Sequence, residues 1–500
     1  MIKIPKTMAT QHPDNAKAPY WEKDGNGFIS SKEETIECVD AFRNLGVEEF
    51  MWDWEGKFTD EAIVDRLFHY YFDYFKKHPL GLKKRLTFRI PNIWQEKGYS
   101  LIRALMVVLT SEDFARDLKF HFPPLFEVIL PMTENAEQLI FIQKSFRELA
   151  QLKSKMFSKF RQNTEYVRII PLFEGVDTQI KAKEILRRYL RLHKKTFGFV
   201  PSFLRVFIAR SDPAMVSGLV PTVLANKIIL SDLRELEKET GIRFFPILGA
   251  GSLPFRGGLS PLTIKKFCLE YPGVNTITIQ SAFRYDYPLR KVRQAIKYYN
   301  KKYFGQSPII SKPERKKIID IIAIFKKKYQ FSFDKIILDL EFLFKSFPPR
   351  RERHLHIGLL SYGRKIKKMT LPRAITFTGS FYSLGIPPEF LGIGGFIKLK
   401  PKDFALLDKH YKNYINDLIQ AGKFLNWKNL KKLSQKNRGW EEIADDLKKV
   451  ENILKIKFGS WNKKGIRYSK LTSLLLRPKI SHKEIQKLIS QTGVLRKSLG

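Results

Sequence analysis

One pattern recurs eight times between residues 4 and 279. A short apolar run, rich in β-branched and aromatic side chains, stops abruptly at polar or glycine residues, and a longer amphipathic stretch follows. The clearest runs are residues 50–54, 86–90, 126–130, 167–173, 204–209, 244–248 and 276–279, with a weaker opening one at 4–10. Runs this short and this uniformly apolar read as strands buried on both faces, the condition of a parallel sheet covered by helices. Helical patterns such as 180–192, 225–240 and 262–271 lie between them. Eight such units predict an α/β fold, a TIM-like (β/α)8 barrel with additional, mainly C-terminal helices. An open doubly wound sheet shares the same periodicity. In a barrel, chemistry sits where the strands end.

The runs lead into Gln11-His12-Pro13-Asp14-Asn15, Asp53-Trp54-Glu55-Gly56-Lys57, Arg89-Ile90-Pro91-Asn92, Pro131-Met132-Thr133-Glu134, Glu174-Gly175, Arg210-Ser211-Asp212-Pro213, Gly249-Ala250-Gly251-Ser252 and Gln280-Ser281-Ala282-Phe283-Arg284. Each alone is ordinary turn chemistry. Together they bring carboxylates, a histidine and arginines, Arg89 and Arg284 among them, to one rim. That is a setting for an anionic, metal-bound substrate. The barrel core is assigned to residues 1–290. From about Pro288 the chain turns to basic amphipathic helices, including 316–329, 335–347 and 403–418. Residues 291–500 are therefore read as a helical extension that packs on the barrel as one integrated domain. Within it, the stretch 355–395, rich in Gly, Ser, Thr and Pro, is expected to be loop-rich and to return to the barrel mouth.

Composition narrows the classes further. With 43% hydrophobic and 28% charged residues, the chain has material for a core. No apolar run is long enough to cross a bilayer. Met1 to Asn15 carries prolines and polar residues where a signal peptide needs an apolar stretch. The two cysteines, Cys38 and Cys268, lie far apart and fit a reducing cytoplasm better than a disulfide framework. The 90 basic residues against 50 acidic ones give a net charge of +40. Clustered cations would suggest a polyanion, but these lysines are spread along the chain and no nucleic-acid-binding module accompanies them. No specific nucleic-acid or membrane partner is expected.

Glu174 and Asp212 end neighbouring runs, so adjacent parallel strands would bring both carboxylates to one cation. Oxygen ligands with sites left open suit Mg2+ or Mn2+. As plain structure, Asp212 would cap a helix and Glu174 would pair with an arginine. The segment 249–258 joins backbone amides, those of Gly257 and Gly258 included, to the guanidinium of Arg256, a pairing suited to an oxyanion. It lacks the Gly-Lys-Ser/Thr of a P-loop. His12 is a proton-transfer candidate near neutral pH. His354 and His356 share a face on a strand but lack a third ligand and are read as non-metal.

In order and spacing these segments resemble the short, archaeal-type phosphoenolpyruvate carboxylases over essentially the whole chain. The likeness rests on Thr7-Met8-Ala9-Thr10-Gln11-His12-Pro13-Asp14-Asn15, residues 52–57, Phe88-Arg89-Ile90-Pro91-Asn92, Pro171-Leu172-Phe173-Glu174, Ala209-Arg210-Ser211-Asp212-Pro213, residues 253–258 and Leu371-Pro372-Arg373-Ala374-Ile375. The resemblance implies a barrel with extra helices, a divalent cation, bicarbonate as co-substrate and a homotetramer. Glu174 and Asp212 then look like the metal ligands, and His12 like the histidine that manages the proton of the carboxyl donor. Arg256 resembles the arginine of the family's glycine loop, a mobile lid. Arg364, after Ser361-Tyr362-Gly363, and Arg373 resemble anion-binding arginines of the helical part, and Arg89 one on the third strand. The implied reaction converts phosphoenolpyruvate and bicarbonate to oxaloacetate and phosphate through carboxyphosphate and an enolate held at the cation. Compared with the longer carboxylases, Leu248-Gly249-Ala250 replaces a His-Gly-Arg opening, and Met215 stands where a lysine follows the metal aspartate. The closing Gly500 is shared in kind. A citrate-lyase-like barrel aldolase and a basic nucleic-acid-binding protein are the competing readings; Arg364 and Arg373 count against the first.

Overall fold

Eight parallel strands pair in sequence order, and the last pairs with the first. In this computed structural model, which describes residues 3–57, 59–95, 99–156, 165–302, 305–352, 365–366, 369–459 and 462–500, they are β1 (Thr7–Thr10), β2 (Glu49–Asp53), β3 (Arg85–Arg89), β4 (Glu127–Leu130), β5 (Arg168–Phe173), β6 (Phe203–Ala209), β7 (Arg243–Gly249) and β8 (Thr276–Ile279). The register Thr7↔Ile277 between β1 and β8 closes the ring and decides for a barrel over an open sheet. Each expected run is a strand, shifted by a residue or less except the first, which begins at Thr7 instead of Ile4. Helices fill the gaps between strands, among them Ala182–Phe197, Leu219–Thr240 and Ile264–Glu270.

Successive residues of a strand point to opposite faces, so each strand splits its side chains between the barrel interior and the helical jacket. On β2, Phe50 and Trp52 join the core shared with the helices. Glu49, Met51 and Asp53 take the other face. The interior that results has three levels. Glu49, Arg85, Glu127 and Arg205 form a sealed ionic floor. Arg205 meets Glu49 at 2.6 Å and Glu127 at 3.1 Å, while Arg85 meets Glu127 at 2.5 Å. Above it, Met8, Met51, Ile129, Ile170, Leu172, Phe207, Ala209 and Ile247 make a separate apolar cluster. Thr87 and Thr278 stand at the same level, their hydroxyls bonded to Glu49 and to the Ala250 amide, and ionisable groups return at the C-terminal ends of the strands. A largely apolar plug therefore separates the rim from the floor.

The second half is helical, as expected, with different breaks. The helix Lys312–Ile336 starts at a capping box, Ser311 accepting from the Glu314 amide with a proline in the first turn. The expected helix 335–347 is instead the end of that helix, a 3-10 turn Ile337–Leu340 and a short helix Glu341–Lys345. The expected helix 403–418 is two, Pro401–His410 and Tyr414–Gly422, because the chain leaves helical geometry at Tyr411 (φ −131°, ψ 71°). That break buries the Tyr411 ring and lets its hydroxyl donate to Asp417 at 2.8 Å. The stretch expected to be loop-rich contains the helix Ala374–Leu384, whose Thr378, Gly379, Ser380 and Ser383 are buried. Tertiary packing overrides their weak helix propensity; Gly379 lies against the Leu499 carbonyl and the Phe347 ring. The two cysteines are buried and unbonded, and no helix among the described residues is long and apolar enough to cross a membrane.

The floor gives a stability test. Arg205→Met leaves Glu49 buried beside no full partner, and Glu127, which Arg205 and Arg85 hold below its usual range against the upward push of burial, loses half its support. Breaking one side of a buried ion network costs about 3–5 kcal/mol. Urea denaturation should show that loss; an unchanged midpoint would mean the floor relaxes to water.

Candidate active site

Pleat and barrel closure deliver the rim. The inward face of β2 ends on Asp53 and that of β3 on Arg89, while Glu174 follows β5 directly and Asp212 sits in the first turn of the helix Ser211–Ser217 after β6. Arg89, Glu174 and Asp212 border a cavity of about 340 Å3 together with His12, Glu55, Arg256 and, from the helical half, Arg373, while Asp53 lies buried behind Arg89. Six residues proposed from sequence thus share one cavity: His12, Arg89, Glu174, Asp212, Arg256 and Arg373. Pro372 to Thr376 line it too, so the 355–395 stretch does return to the mouth. Arg364, His354 and His356 lie outside the described residues.

The acidic side is organised by Arg89. Its Nε and Nη2 grip Asp53 at 2.8 and 2.7 Å, and Nη1 reaches Glu55 at 2.5 Å and Glu174 at 3.9 Å. Burial disfavours the cation, but these carboxylates outweigh it and keep Arg89 protonated. Expected as a substrate contact, Arg89 is largely engaged by protein carboxylates and serves first to hold them together. Glu174 also accepts from the Met132 amide at 3.1 Å, which requires Met132 at φ 49°, a left-handed conformation unusual for its side chain.

Phe173 of β5 is in register with Ile208 of β6, so Glu174 and Asp212 emerge from neighbouring strand ends. Among the described residues no group of three or more His, Cys, Asp or Glu is arranged to hold a metal. A preassembled zinc cage is thereby unlike this site. Two carboxylates facing one cavity do fit Mg2+ or Mn2+, which take few protein oxygens and fill the remaining positions with water and substrate.

Arg256 differs most from its expectation. Its side chain is 1% exposed, and its nitrogens reach Ser211 Oγ (3.1 Å), Asp14 Oδ2 (3.0 Å), the Gly500 oxygen (2.6 Å) and Gln280 Oε1 (2.7 Å). The segment carrying it is a packed, hydrogen-bonded turn. The amides of Gly251, Gly257 and Gly258 donate to the carbonyls of Arg256, Pro254 and Leu253, so they are not free to cradle an oxyanion. Gly257 and Gly258 do not border the cavity; with φ 123° and 69° they turn the chain, and a Cβ on Gly257 would stand 2.6 Å from that of Ala250. Arg284 is likewise off the cavity. It is buried, donating to the Thr10 carbonyl at 2.7 Å and to Glu37 at 2.8 Å, and so braces the end of β1. Both placements share a cause: a guanidinium in a turn or short helix after a strand goes to buried acceptors nearby in space, which sequence spacing does not reveal.

Among the described residues, Arg373 is one of four cavity arginines, with Arg210, Arg350 and Arg351, that keep a buried donor without a hydrogen-bond partner. It caps the helix Ala374–Leu384, lies over Gly56, and its Nη2 is buried without a hydrogen-bond partner. The imidazole of His12 is oriented by Thr10, with Nδ1 and Oγ1 2.8 Å apart. Four ionisable residues of the cavity were not proposed as site residues from sequence: Glu55, Arg210, Arg350 and Arg351. The last is buried and bound to Glu37 at 2.6 and 2.7 Å. The only signal for the arginine pair was Pro348-Pro349-Arg350-Arg351 interrupting a helical pattern.

Barrels of this kind keep their chemistry at the C-terminal mouth, and here that end combines an acidic pair, an oriented imidazole and arginines with unused donors. The class is that of the (β/α)8-barrel enzymes. The sequence profile described as phosphoenolpyruvate carboxylase matches residues 4–500. Relatives named phosphoenolpyruvate carboxylase include one from Leuconostoc mesenteroides, 43% identical across 100% of this chain and 99% of its own. Another, from Metallosphaera sedula, is 38% identical over 100% of both chains. One from Pyrococcus horikoshii is 35% identical over 89% of this chain and 94% of its own. The chain belongs to the phosphoenolpyruvate carboxylase family.

Arg256→Met should be destabilising as well as damaging. It strands Asp14, whose carboxyl burial already pushes above its usual range despite Arg256, and the expected cost is about 3–5 kcal/mol. Arg256→Lys should recover little, because one ammonium does not span four acceptors. Thermal melts check both; Asp14→Asn in the Arg256→Met background should restore part of the loss.

Proposed function

We propose that this cavity carboxylates phosphoenolpyruvate with bicarbonate, releasing oxaloacetate and phosphate. The observation that carries the reading is the pairing of two carboxylates, Glu174 and Asp212, with Arg373, whose Nη2 is an unused buried donor, at one cavity, in a chain of this family. The whole-chain family match leaves the aldolase and nucleic-acid readings without support.

Glu174 and Asp212 would hold Mg2+ or Mn2+, which when bound supplies positive charge opposite the substrate carboxylate and enolate oxygen. Arg373 takes substrate anion through its free donor. Arg256 fixes the rim around the reacting groups, and Arg364 is a further anion-binding candidate on resemblance alone. A bicarbonate oxygen attacks phosphorus, the P–O bond to the enol oxygen breaks, and carboxyphosphate and an enolate result. His12, its ring set by Thr10, takes the carboxyl proton as carboxyphosphate splits into CO2 and phosphate, and that proton leaves with phosphate. Enolate carbon then attacks CO2. Water has to be kept away, because protonation of the same carbon gives pyruvate instead. The apolar plug under the rim, Leu172 and Phe207 included, serves that exclusion from below. The same reading carries a cytoplasmic homotetramer, which sedimentation of the purified protein tests.

Coupling oxaloacetate to malate dehydrogenase with phosphoenolpyruvate, bicarbonate and Mg2+ tests the activity directly; no signal under those conditions rejects it. Glu174→Gln and Asp212→Asn should each abolish turnover with the fold intact by circular dichroism, and full Mg2+-dependent activity in either would refute the ligand assignment.

His12→Asn should separate the half-reactions. Losing a positioned base costs about 10²–10⁴-fold, and the loss should fall on oxaloacetate more than on phosphate. Phosphate and pyruvate should still form in a bicarbonate-dependent way. Undiminished oxaloacetate would make His12 a bystander.

A further inference from the structure

Behind the cavity wall, the turn Pro254–Arg256 rests on a carboxylate that the reaction scheme leaves unused. Glu389, in the 3-10 turn Pro388–Phe390, is 3% exposed. Its Oε1 accepts from the Phe255 amide at 2.7 Å and from the Tyr382 hydroxyl at 2.6 Å. Its Oε2 is buried without a hydrogen-bond partner, and no cation pairs with it among the described residues. Such a group is expensive to bury. Packing alone would be served by leucine or methionine, so the two donors converging on Oε1 are what the carboxylate is there for.

Those donors connect the two halves of the molecule. Phe255 precedes Arg256 in the barrel, whereas Tyr382 belongs to the helix Ala374–Leu384, whose N-terminal cap is Arg373. Phe255 also stacks on Phe377 of that helix, with centroids 5.9 Å apart. One oxygen therefore ties the turn of the clasping arginine to the helix that Arg373 caps. On the barrel side the turn is held by the Arg256 side chain, and its Pro254 carbonyl accepts from Arg210 Nη2 at 3.2 Å; toward the helical half its backbone hydrogen bond is the one to Glu389.

We infer that Glu389 is a positioning residue: it pins the Phe255 amide to the Ala374–Leu384 helix and so fixes the spacing of Arg256 and Arg373 across the cavity. The inference rests on the carboxylase reading. A charge-assisted bond to a backbone amide is about twice as strong as a neutral one, and small misplacements at a reacting centre cost far more rate than stability.

The titratable and charged groups facing Glu389 are Tyr382, Asp417 on the helix Tyr414–Gly422, and Tyr468, which Arg496 contacts at 3.3 Å. Burial pushes Glu389 up to about 7, against the bonds from Tyr382 and Phe255, and Asp417 adds to the rise. An acid raised in the folded state stabilises the fold at low pH and loses that contribution as pH rises toward and through about 7. The grip on Phe255 runs the opposite way and is strongest above about 7, where the carboxylate is charged.

The test is E389Q in the coupled assay, with oxaloacetate and pyruvate measured in parallel from about pH 6 to pH 8. Wild type should release a rising share of pyruvate as pH falls through about 7. E389Q should show a higher share at every pH, several-fold at pH 8, with kcat down about tenfold and without that inflection. Titration of the substrates affects both proteins alike, so their difference isolates Glu389. Its melting temperature should fall less than that of wild type between pH 6 and 8. Tyr382→Phe removes a donor that favours the charged form, so its inflection should move to higher pH; this variant serves also if E389Q does not fold. Wild-type kinetics and product ratio in folded E389Q, or an unmoved inflection in Tyr382→Phe, overturn the inference, even if stability drops. Wild type without carboxylation overturns the reading beneath it as well.

Discussion

A strand can turn only every second side chain into a closed barrel, and the rest of this molecule follows from that constraint. Glu49, Met51 and Asp53 of β2 occupy ionic floor, apolar plug and reactive rim in turn, and the inward residues of the other strands fall into the same levels. Ionisable groups at two levels stay apart because the layer between them is largely apolar, its Thr87 hydroxyl turned to Glu49 in the floor. The floor consequently satisfies itself, with Arg205 and Arg85 consumed by Glu49 and Glu127. The rim keeps groups that protein partners do not fully satisfy.

The rim in turn depends on Arg256. Burying a guanidinium is tolerable only when its donors are met, and the four acceptors come from the β1 loop, the β6 loop, the β8 end and the last residue of the sequence. Meeting that demand brings those segments to one place. The same turn reaches outward through Phe255 to Glu389, so barrel and helical half share their positional reference. A site whose walls come from both halves needs such a tie, since helix Ala374–Leu384 delivers Arg373 from nearly 120 residues beyond the turn.

Charge at the mouth is less uniformly positive than a net charge of +40 suggests. Arg89, Arg256, Arg284 and Arg351 each bind protein carboxylates. Arg373 retains an unused buried donor. An anion entering the cavity therefore meets the unused donors of a few partly engaged guanidiniums, Arg373 and Arg210 among them, opposite an acidic pair. This arrangement favours a ligand that carries its own anionic ends and accepts a cation between them.

The sequence by itself determined the barrel and the chain positions of its rim. Near-continuous apolar runs are a local consequence of burial on both strand faces, and the residues that end them must lie at the mouth once the sheet closes; His12, Glu174 and Asp212 were legible for that reason. Helix existed where periodicity was strong, but its breaks at Ile337 and Tyr411, and the helix through Thr378, Gly379 and Ser380, were set by burial of particular rings and close backbone contacts. What each arginine binds was decided only by tertiary structure. Arg284 and Arg256 look as available as Arg373 in the sequence, yet Glu37 and Asp14 claim the first two. A guanidinium's partner is the acceptor nearest in space, and here those acceptors lie hundreds of residues away, where local pattern carries no information about distance.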